Sequence, residues 1–456
     1  MPAGLPPPRP RNNDKLSQTE TYPLTNRSLH DAIVLHDGER IAVDRLLLDV
    51  HSLASRLPNK SFVINLAVDR YSFIVGFCAA VIRGQCTLMP PNRLDATLEL
   101  IEQDYPDSYR LASSDRLFEH LSEDRSNQTA ESVDIPLNQL CAIAFTSGST
   151  GNPTPNQKFW RTLVVSIEST VRLLGLQNGG RLNLVATVPC QHMWGMETAV
   201  LLPLLAEVTV NSRHPFFPKD IGNALAELPE PRALVTSPAH LEALIRSEIQ
   251  LPSLDRIFSA TAPISPDQAR RLESRFATRL QEVFGCSETG IIAARETARE
   301  TLWRVSDVLR IEPRNSDFMV VGDHLPASVV LPDVIELQGH DHFRWIGRHQ
   351  DMVKVGGKRE SLSDLNLRLL AIEGIEDGVI FMPGSDARRP TALVVSKQLR
   401  PVDVRAALAR NVDAVFLPRP IFLVDRLPRQ ETGKIARNDL INIYEDMLRG
   451  DSRETK

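Results

Sequence analysis

The sequence predicts an α/β protein, a large layered N-terminal body followed by a small C-terminal α+β domain, and three observations predict it. Short apolar runs alternate with stretches of helical periodicity over most of the chain, the rhythm of a sheet covered by helices. After Gly347 the order changes to helix, two strands, helix and strand, within about 108 residues, enough for a small domain. Between one apolar run and one helical stretch lies a loop crowded with hydroxyls and glycines. The expected divisions are a disordered lead-in over 1–24, a body over 25–347 and a lid over 348–456.

The elements follow from local pattern. The first ten residues hold five prolines, too many for a packed segment. Leu46 to Leu57 reads as an amphipathic helix, Ser61 to Val68 as a strand and Phe73 to Val81 as a helix. Further strands are expected at Leu140 to Phe145, Leu182 to Thr187, Ala233 to Thr236, Arg256 to Ala260 and Leu280 to Phe284. Leu163, Ile167, Val171 and Leu174 recur at helical spacing across Phe159 to Leu174. Ser237-Pro238 opens the next helix as an N-cap followed by proline, and Ser265 to Gln268 reads as a capping box. In the tail, helices are expected at Leu362 to Ile372 and Val402 to Ala409. Strands are expected there at Gly378 to Met382, Thr391 to Ser396 and Ile421 to Val424.

Bulk properties narrow the class. The chain has 456 residues, 42% hydrophobic and 24% charged, an ordinary globular composition needing more than one core. A net charge of −5 with scattered basic residues gives no electrostatic reason for nucleic acid or an anionic membrane. No uncharged apolar run approaches the roughly 20 residues of a bilayer span, and no signal-peptide core is present. The five cysteines form no C-x-x-C pair, which points to reduced thiols in a cytoplasmic protein rather than to zinc.

The chemistry lies in ordered segments. Phe145-Thr146-Ser147-Gly148-Ser149-Thr150-Gly151 can turn several N–H and O–H donors onto phosphate oxygens, though no Gly-Lys-Ser/Thr of a Walker loop follows. Downstream come Thr261-Ala262-Pro263, then Phe284-Gly285-Cys286-Ser287-Glu288, then Asp333 and Arg348, then the stretch from Asp351 through Gly357 and Arg359, and finally Gly433-Lys434. Singly, each has a plain structural explanation: Phe284 as core, Glu288 as a helix-start carboxylate, Asp333 as a turn residue, Lys434 as a surface charge. Together and in this order, over about residues 25 to 445, they resemble the adenylate-forming superfamily. That superfamily comprises acyl-CoA synthetases, aryl-acid ligases, luciferases and the adenylation domains of peptide synthetases.

The resemblance implies a two-step reaction. A carboxylate attacks the α-phosphate of ATP, giving an acyl-adenylate and pyrophosphate, and a phosphopantetheine thiol then displaces AMP. It implies that Thr146 to Gly151 hold the β- and γ-phosphates; charge toward pyrophosphate would come from Lys158 or Arg161, or the loop backbone and Mg²⁺ would neutralise it without a lysine. Thr261, Ala262, Pro263 and Phe284 would face adenine, Gly285 would belong to the same ATP site, and Ser287 would reach phosphate. Glu288 would hold Mg²⁺, while Asp333 and Arg348 would reach the ribose. Lys434 would sit between the two anionic reactants of the first step, where a positive charge lowers the barrier. It further implies that the small domain is mobile about Gln350, and that Gly357 and Arg359 line a pantetheine tunnel. His192, Trp194 and Gly195 match the acyl-pocket segment, although His192 also reads as a satisfied core histidine.

The chain departs from that pattern at three places. Thr154 stands where the loop lysine is usual, Leu331-Pro332 replaces Thr-Gly before Asp333, and Gln350 replaces the commoner hinge Asp or Lys. Amino-acid-activating members of that superfamily place an aspartate in the segment near His192 to grip the α-ammonium; here the one acid is Glu197, so the resemblance implies a carboxylic acid without an amine. Phe62 to Tyr71 and Lys158-Phe159-Trp160 resemble a compact subgroup from bacterial pigment and aryl-polyene-like pathways. In that subgroup hydroxybenzoate-type acids are loaded onto acyl carrier proteins. Three functions follow: an aromatic-acid ligase charging an acyl carrier protein, the same enzyme charging free CoA, and a non-catalytic nucleotide-binding relative. Thr154 speaks for the last, and Glu288, Asp333, Arg348 and Lys434 speak against it.

Overall fold

The computed structural model describes residues 20–119, 121, 130–147, 153–178, 180–315, 317–348, 352–355, 358–384, 387, 389–429, 435 and 437–454. It is an α/β structure built on two sheets with helices between and around them. The larger sheet has eleven strands among the described residues. Its centre is a parallel run in the order Arg279–Cys286, Arg256–Ser259, Arg232–Thr236, Leu182–Ala186, Val208–Asn211 and Ala32–His36. Antiparallel strands close both edges: Glu39–Ala42 on one side, and Gly290–Arg295, Trp303–Val305, His342–Arg348 and Asp333–Gln338 on the other. The second sheet runs Ser108–Leu111, Phe62–Asn65, Cys86–Met89, Leu140–Ser147 and, antiparallel at the edge, Pro153–Phe159.

Between the sheets lies one continuous apolar core. Phe73 and Phe77 of helix Arg70–Ile82, Trp160, Leu163 and Ile167 of helix Trp160–Leu173, and Leu184 and Val210 of the large sheet all belong to it. Helix Arg70–Ile82 is buried on nearly every side, which explains its unbroken apolar run. Its start is fixed by Asp69, which accepts a hydrogen bond from Ser72 N at 2.8 Å.

Beyond residue 352 the apolar clusters are separate, gathering helix Leu362–Leu370, strands Asp377–Phe381, Thr391–Val395 and Ile421–Leu423, and helices Pro401–Leu408 and Arg437–Glu454. Arg246 ties helix Pro238–Arg246 to these elements, donating to the carbonyl of Ile375 at 3.0 Å and to that of Glu376. No described helix is long and apolar enough to cross a membrane.

Three local expectations are corrected. Residues 21–24, expected in a disordered lead-in, belong to the body: Thr21–Pro23 pairs with Asp134–Pro136, and Leu24 is fully buried. Trp160 holds this strand by donating from Nε1 to the Tyr22 carbonyl at 3.1 Å. Ser237 sits at the N-cap but gives its helix no side-chain cap, because its hydroxyl faces His240 Nδ1 at 3.0 Å. At Ser265 only half the capping box forms. Gln268 N donates to Ser265 Oγ at 3.2 Å, while the Gln268 side chain turns away to Glu242.

Candidate active site

Strands Leu140–Ser147 and Pro153–Phe159 form a hairpin with Thr146 opposite Thr154 and Ser147 opposite Pro153. The hydroxyl-rich loop is therefore a hairpin tip, and the chain runs through an edge strand before entering helix Trp160–Leu173. Pro153 and Pro155 hide that strand from propensity, and both are tolerated because the strand lies at the edge of its sheet. Thr146 lies at the mouth of the tip, half-buried. Gly148, Ser149, Thr150 and Gly151 lie outside the described residues, as does the side chain of Ser147.

Lys158 lies near the far end of the same edge strand and points inward. It is 1% exposed, and its Nζ donates to the backbone carbonyl of Glu288 at 2.7 Å. Rather than offering a free cation to phosphate, it ties the hairpin to the turn that carries Glu288. Burial pushes its pKa down, and the nearby Glu197 carboxylate is the first of the charges that oppose this shift.

Glu288 sits in the tight connection between Arg279–Cys286 and Gly290–Arg295, where Cys286 pairs with Gly290. Two glycines make this connection possible. A Cβ at Gly285 would lie 2.4 Å from the Gly290 carbonyl oxygen, and Gly290 has φ +81°. Ser287 and Glu288 both stay partly exposed.

Other predicted residues lie at strand ends. Thr261, Ala262 and Pro263 follow strand Arg256–Ser259, which pairs with the strand carrying Phe284, so both segments lie at the carboxyl ends of neighbouring strands. Open parallel sheets place ligands at such ends. Thr261 has φ +86°, a region β-branched residues almost never occupy, so the backbone there is strained. The Phe284 ring lies 5.5 Å from that of Trp303 and 5.4 Å from that of Phe343, and remains partly exposed. Asp333 and Arg348, fifteen residues apart in sequence, are directly opposite across an antiparallel ladder. Asp333 is buried and accepts from Trp345 Nε1 at 2.8 Å. Of Arg348 only the backbone is described.

The acyl-pocket segment is packed against the large sheet. A Cβ at Gly195 would lie 2.0 Å from the Pro189 carbonyl oxygen, so only glycine fits. Trp194 is buried and donates from Nε1 to the Thr236 carbonyl at 3.1 Å. His192 is the residue between Cys190 and Met196 that keeps partial exposure. Gln350, Gly357 and Lys434 lie outside the described residues, and so does the side chain of Arg359.

Two residues that pack against Gly290 and Ile291, just after Glu288, were not singled out by sequence reasoning as part of the site. Glu197 Oε1 accepts from Ser166 Oγ at 2.8 Å and from Ile291 N at 3.2 Å. The signal was present: Glu197 is a lone charge in the apolar run Met196 to Leu205, and a charge so placed needs partners.

Comparison with known proteins agrees with this architecture. Residues 92–326 match the family described as AMP-binding enzyme. A 4-coumarate–CoA ligase of Halorhodospira halophila is 28% identical over 373 residues, covering 76% of this chain and 90% of that protein. Among solved structures, ATP-bound MatB from Rhodopseudomonas palustris superposes with a TM-score of 0.78 at 17% identity, covering 93% of this chain and 98% of that one. The anthranilate CoA ligase AuaEII, in complex with anthranoyl-AMP, gives 0.75 at 14% identity, covering 91% and 94%. With the family match spanning more than half of the sequence, this chain belongs to the AMP-binding enzymes of the adenylate-forming superfamily.

Proposed function

We propose that the protein, an AMP-forming acid–thiol ligase, activates an aromatic, hydroxybenzoate-like carboxylic acid with ATP and passes the acyl group to the phosphopantetheine thiol of an acyl carrier protein. The observation that carries this reading is the 2.7 Å hydrogen bond from Lys158 Nζ to the Glu288 carbonyl. It brings the edge of the hydroxyl-rich hairpin against the turn bearing the one carboxylate of the Phe284 to Glu288 segment.

In the first step a carboxylate oxygen bonds to the α-phosphorus as the bond to the pyrophosphate oxygen breaks. In the second the thiol sulfur bonds to the acyl carbon, its proton is lost, and AMP leaves. Thr146 to Gly151 would cradle the β- and γ-phosphates, while Thr261 to Pro263 and Phe284 would flank adenine. Asp333, opposite Arg348, would take the ribose hydroxyls. Among the described residues no group of three His, Cys, Asp or Glu side chains converges. A single carboxylate fits Mg²⁺, which takes few protein ligands and fills its shell with phosphate and water. Glu288 would hold it, and the ion would offset phosphate charge. Residues after Gly347 would form a lid that turns about Gln350, bringing Lys434 in for the first step and Gly357 and Arg359 in for the second. The partly exposed His192 would face the acid, with Trp194 and Gly195 shaping the wall behind it.

The aromatic substrate is supported by the relatives, which include a 4-coumarate ligase and an anthranilate ligase. The same names favour a second reading, in which free CoA is the acceptor.

Carboxylate-dependent ATP–pyrophosphate exchange over a panel of aromatic and fatty acids tests the first step. Thioester formation on a carrier protein against CoA tests the second. Lys434→Ala should lower exchange by about 10²–10³ with ATP binding retained. Undiminished exchange in that variant would remove Lys434 from the mechanism.

A further inference from the structure

Lys158 and Glu197 are 1% and 2% exposed, and burying charge is costly unless each group is hydrogen-bonded and balanced. Both are hydrogen-bonded, and their partners lie on the same short stretch of chain. Lys158 donates to the carbonyl of Glu288, and Glu197 accepts from the amide of Ile291 and from Ser166. The turn between residues 288 and 291 is therefore gripped from two directions by opposite charges.

Gly290 shows how close the grip is. A Cβ there would lie 2.4 Å from Glu197 Oε1 and 3.2 Å from Ser166 Oγ. Glu197 itself opens a π-helical turn, Glu197–Leu201, inside an otherwise α-helical stretch, an irregularity that re-aims side chains and recurs at functional sites. Burial raises the Glu197 pKa, opposed by the hydrogen bonds from Ser166 and Ile291 and by the charge of Lys158. Buried charged groups contribute little net stability compared with apolar packing, so a stability role alone gives no reason for these two side chains to sit at this turn.

We propose that Lys158 and Glu197 are positioning residues, which fix the backbone of the Glu288 turn and so aim the Glu288 carboxylate at Mg²⁺·ATP. The proposal rests on the reading of Glu288 as the metal-binding carboxylate. It also gives the chain's departure at Thr154 a physical counterpart: the lysine of this strand acts through the Glu288 backbone rather than on phosphate.

The test is the tightening of ATP binding by Mg²⁺, titrated by calorimetry in chelator and in excess Mg²⁺, on full-length Lys158→Met, Glu197→Gln and Glu288→Ala. Lys158→Met and Glu197→Gln should each lose about tenfold of the Mg²⁺-dependent tightening, with ATP binding in chelator unchanged. Glu288→Ala should lose the tightening altogether. Should Glu288→Ala lose it while the other two variants, folded by circular dichroism, keep the wild-type value, the clamp is refuted and the metal role of Glu288 stands. If Glu288→Ala keeps it, that metal role falls and this inference with it. Glu197→Gln is nearly isosteric and decides the matter if Lys158→Met fails to fold.

Discussion

Arg70 and Lys158 are both 1% exposed, yet the molecule uses these two buried cations in opposite ways. Arg70 begins helix Arg70–Ile82 and spends its guanidinium on neutral carbonyls: Ala186 at 2.5 Å, Val188 at 2.9 Å and Arg213 at 2.9 Å. Those carbonyls lie at and beyond the carboxyl ends of the adjacent strands Leu182–Ala186 and Val208–Asn211. A rigid planar fork suits several fixed acceptors, and the result joins the helix to two strands of the central sheet. Lys158 makes one hydrogen bond to one carbonyl and sits beside a carboxylate. The first cation holds the fold together, and the second holds a turn. Burial alone therefore does not say what a charge is for; the acceptors do.

The largest expected effect is on stability. Arg70→Met strands two buried carbonyls and a part-buried one, and buried unsatisfied groups of this kind cost about 1–3 kcal/mol each. Allowing for the desolvation that is relieved, a net loss of about 3 kcal/mol is expected, read as a lower denaturation midpoint. Lys158→Met should shift that midpoint less. Equal shifts would break the contrast between a fold bolt and a turn clamp.

A pair of glycines sharpens the same contrast at smaller amplitude. Gly290 and Gly38 have nearly equal φ, +81° and +80°, but a Cβ at Gly38 meets nothing within 4 Å. Alanine at either position meets the left-handed penalty of about 1–2 kcal/mol. Only Gly290→Ala also drives a methyl group into Glu197. Gly290→Ala should therefore lose more stability than Gly38→Ala, by the cost of overpacking, about 1–3 kcal/mol, and exchange activity should fall in Gly290→Ala alone. Equal loss of activity would mean that the turn is insensitive to the carboxylate beside it.

Much of this was legible in the sequence, for identifiable reasons. Strands such as Leu182–Ala186 and Arg256–Ser259 announce themselves because both faces are buried and the apolar run is unbroken. The site segments lie where strands end, so their polar residues interrupt those runs in a fixed order. The edge strand Pro153–Phe159 was hidden by its prolines, and the hydroxyl of Ser237 was diverted by a histidine that packing brings close. The partnership of Lys158, Glu197 and Ser166 joins three separate elements. Local pattern marks such charges as anomalous but does not say which will meet.

The smallest predicted effect concerns protons, and it follows the two cations. Burial, with Arg70 the next cause, lowers the His214 pKa to about 4; burial, with Lys158 the next cause, lowers that of His324 to about 4. His214 Nε2 donates to the Thr187 carbonyl at 2.9 Å, a bond the neutral ring makes. Unfolded histidine takes up its proton near pH 6.5, so between that value and about 4 the unfolded chain binds more protons than the folded one. Stability is therefore full above pH 6.5 and falls as pH drops through this window, by about 1 kcal/mol per histidine at pH 5 after allowance for screening. His214→Asn and His324→Asn should each flatten that fall, compared as denaturation midpoints at pH 7 and pH 5. In Arg70→Met the titration of His214, followed by NMR of its ring protons, should move upward while that of His324 stays; Lys158→Met should do the reverse. A common shift of both rings in either variant would mean that the two cations act through one shared loosening of the body, and the distinction between them would be lost.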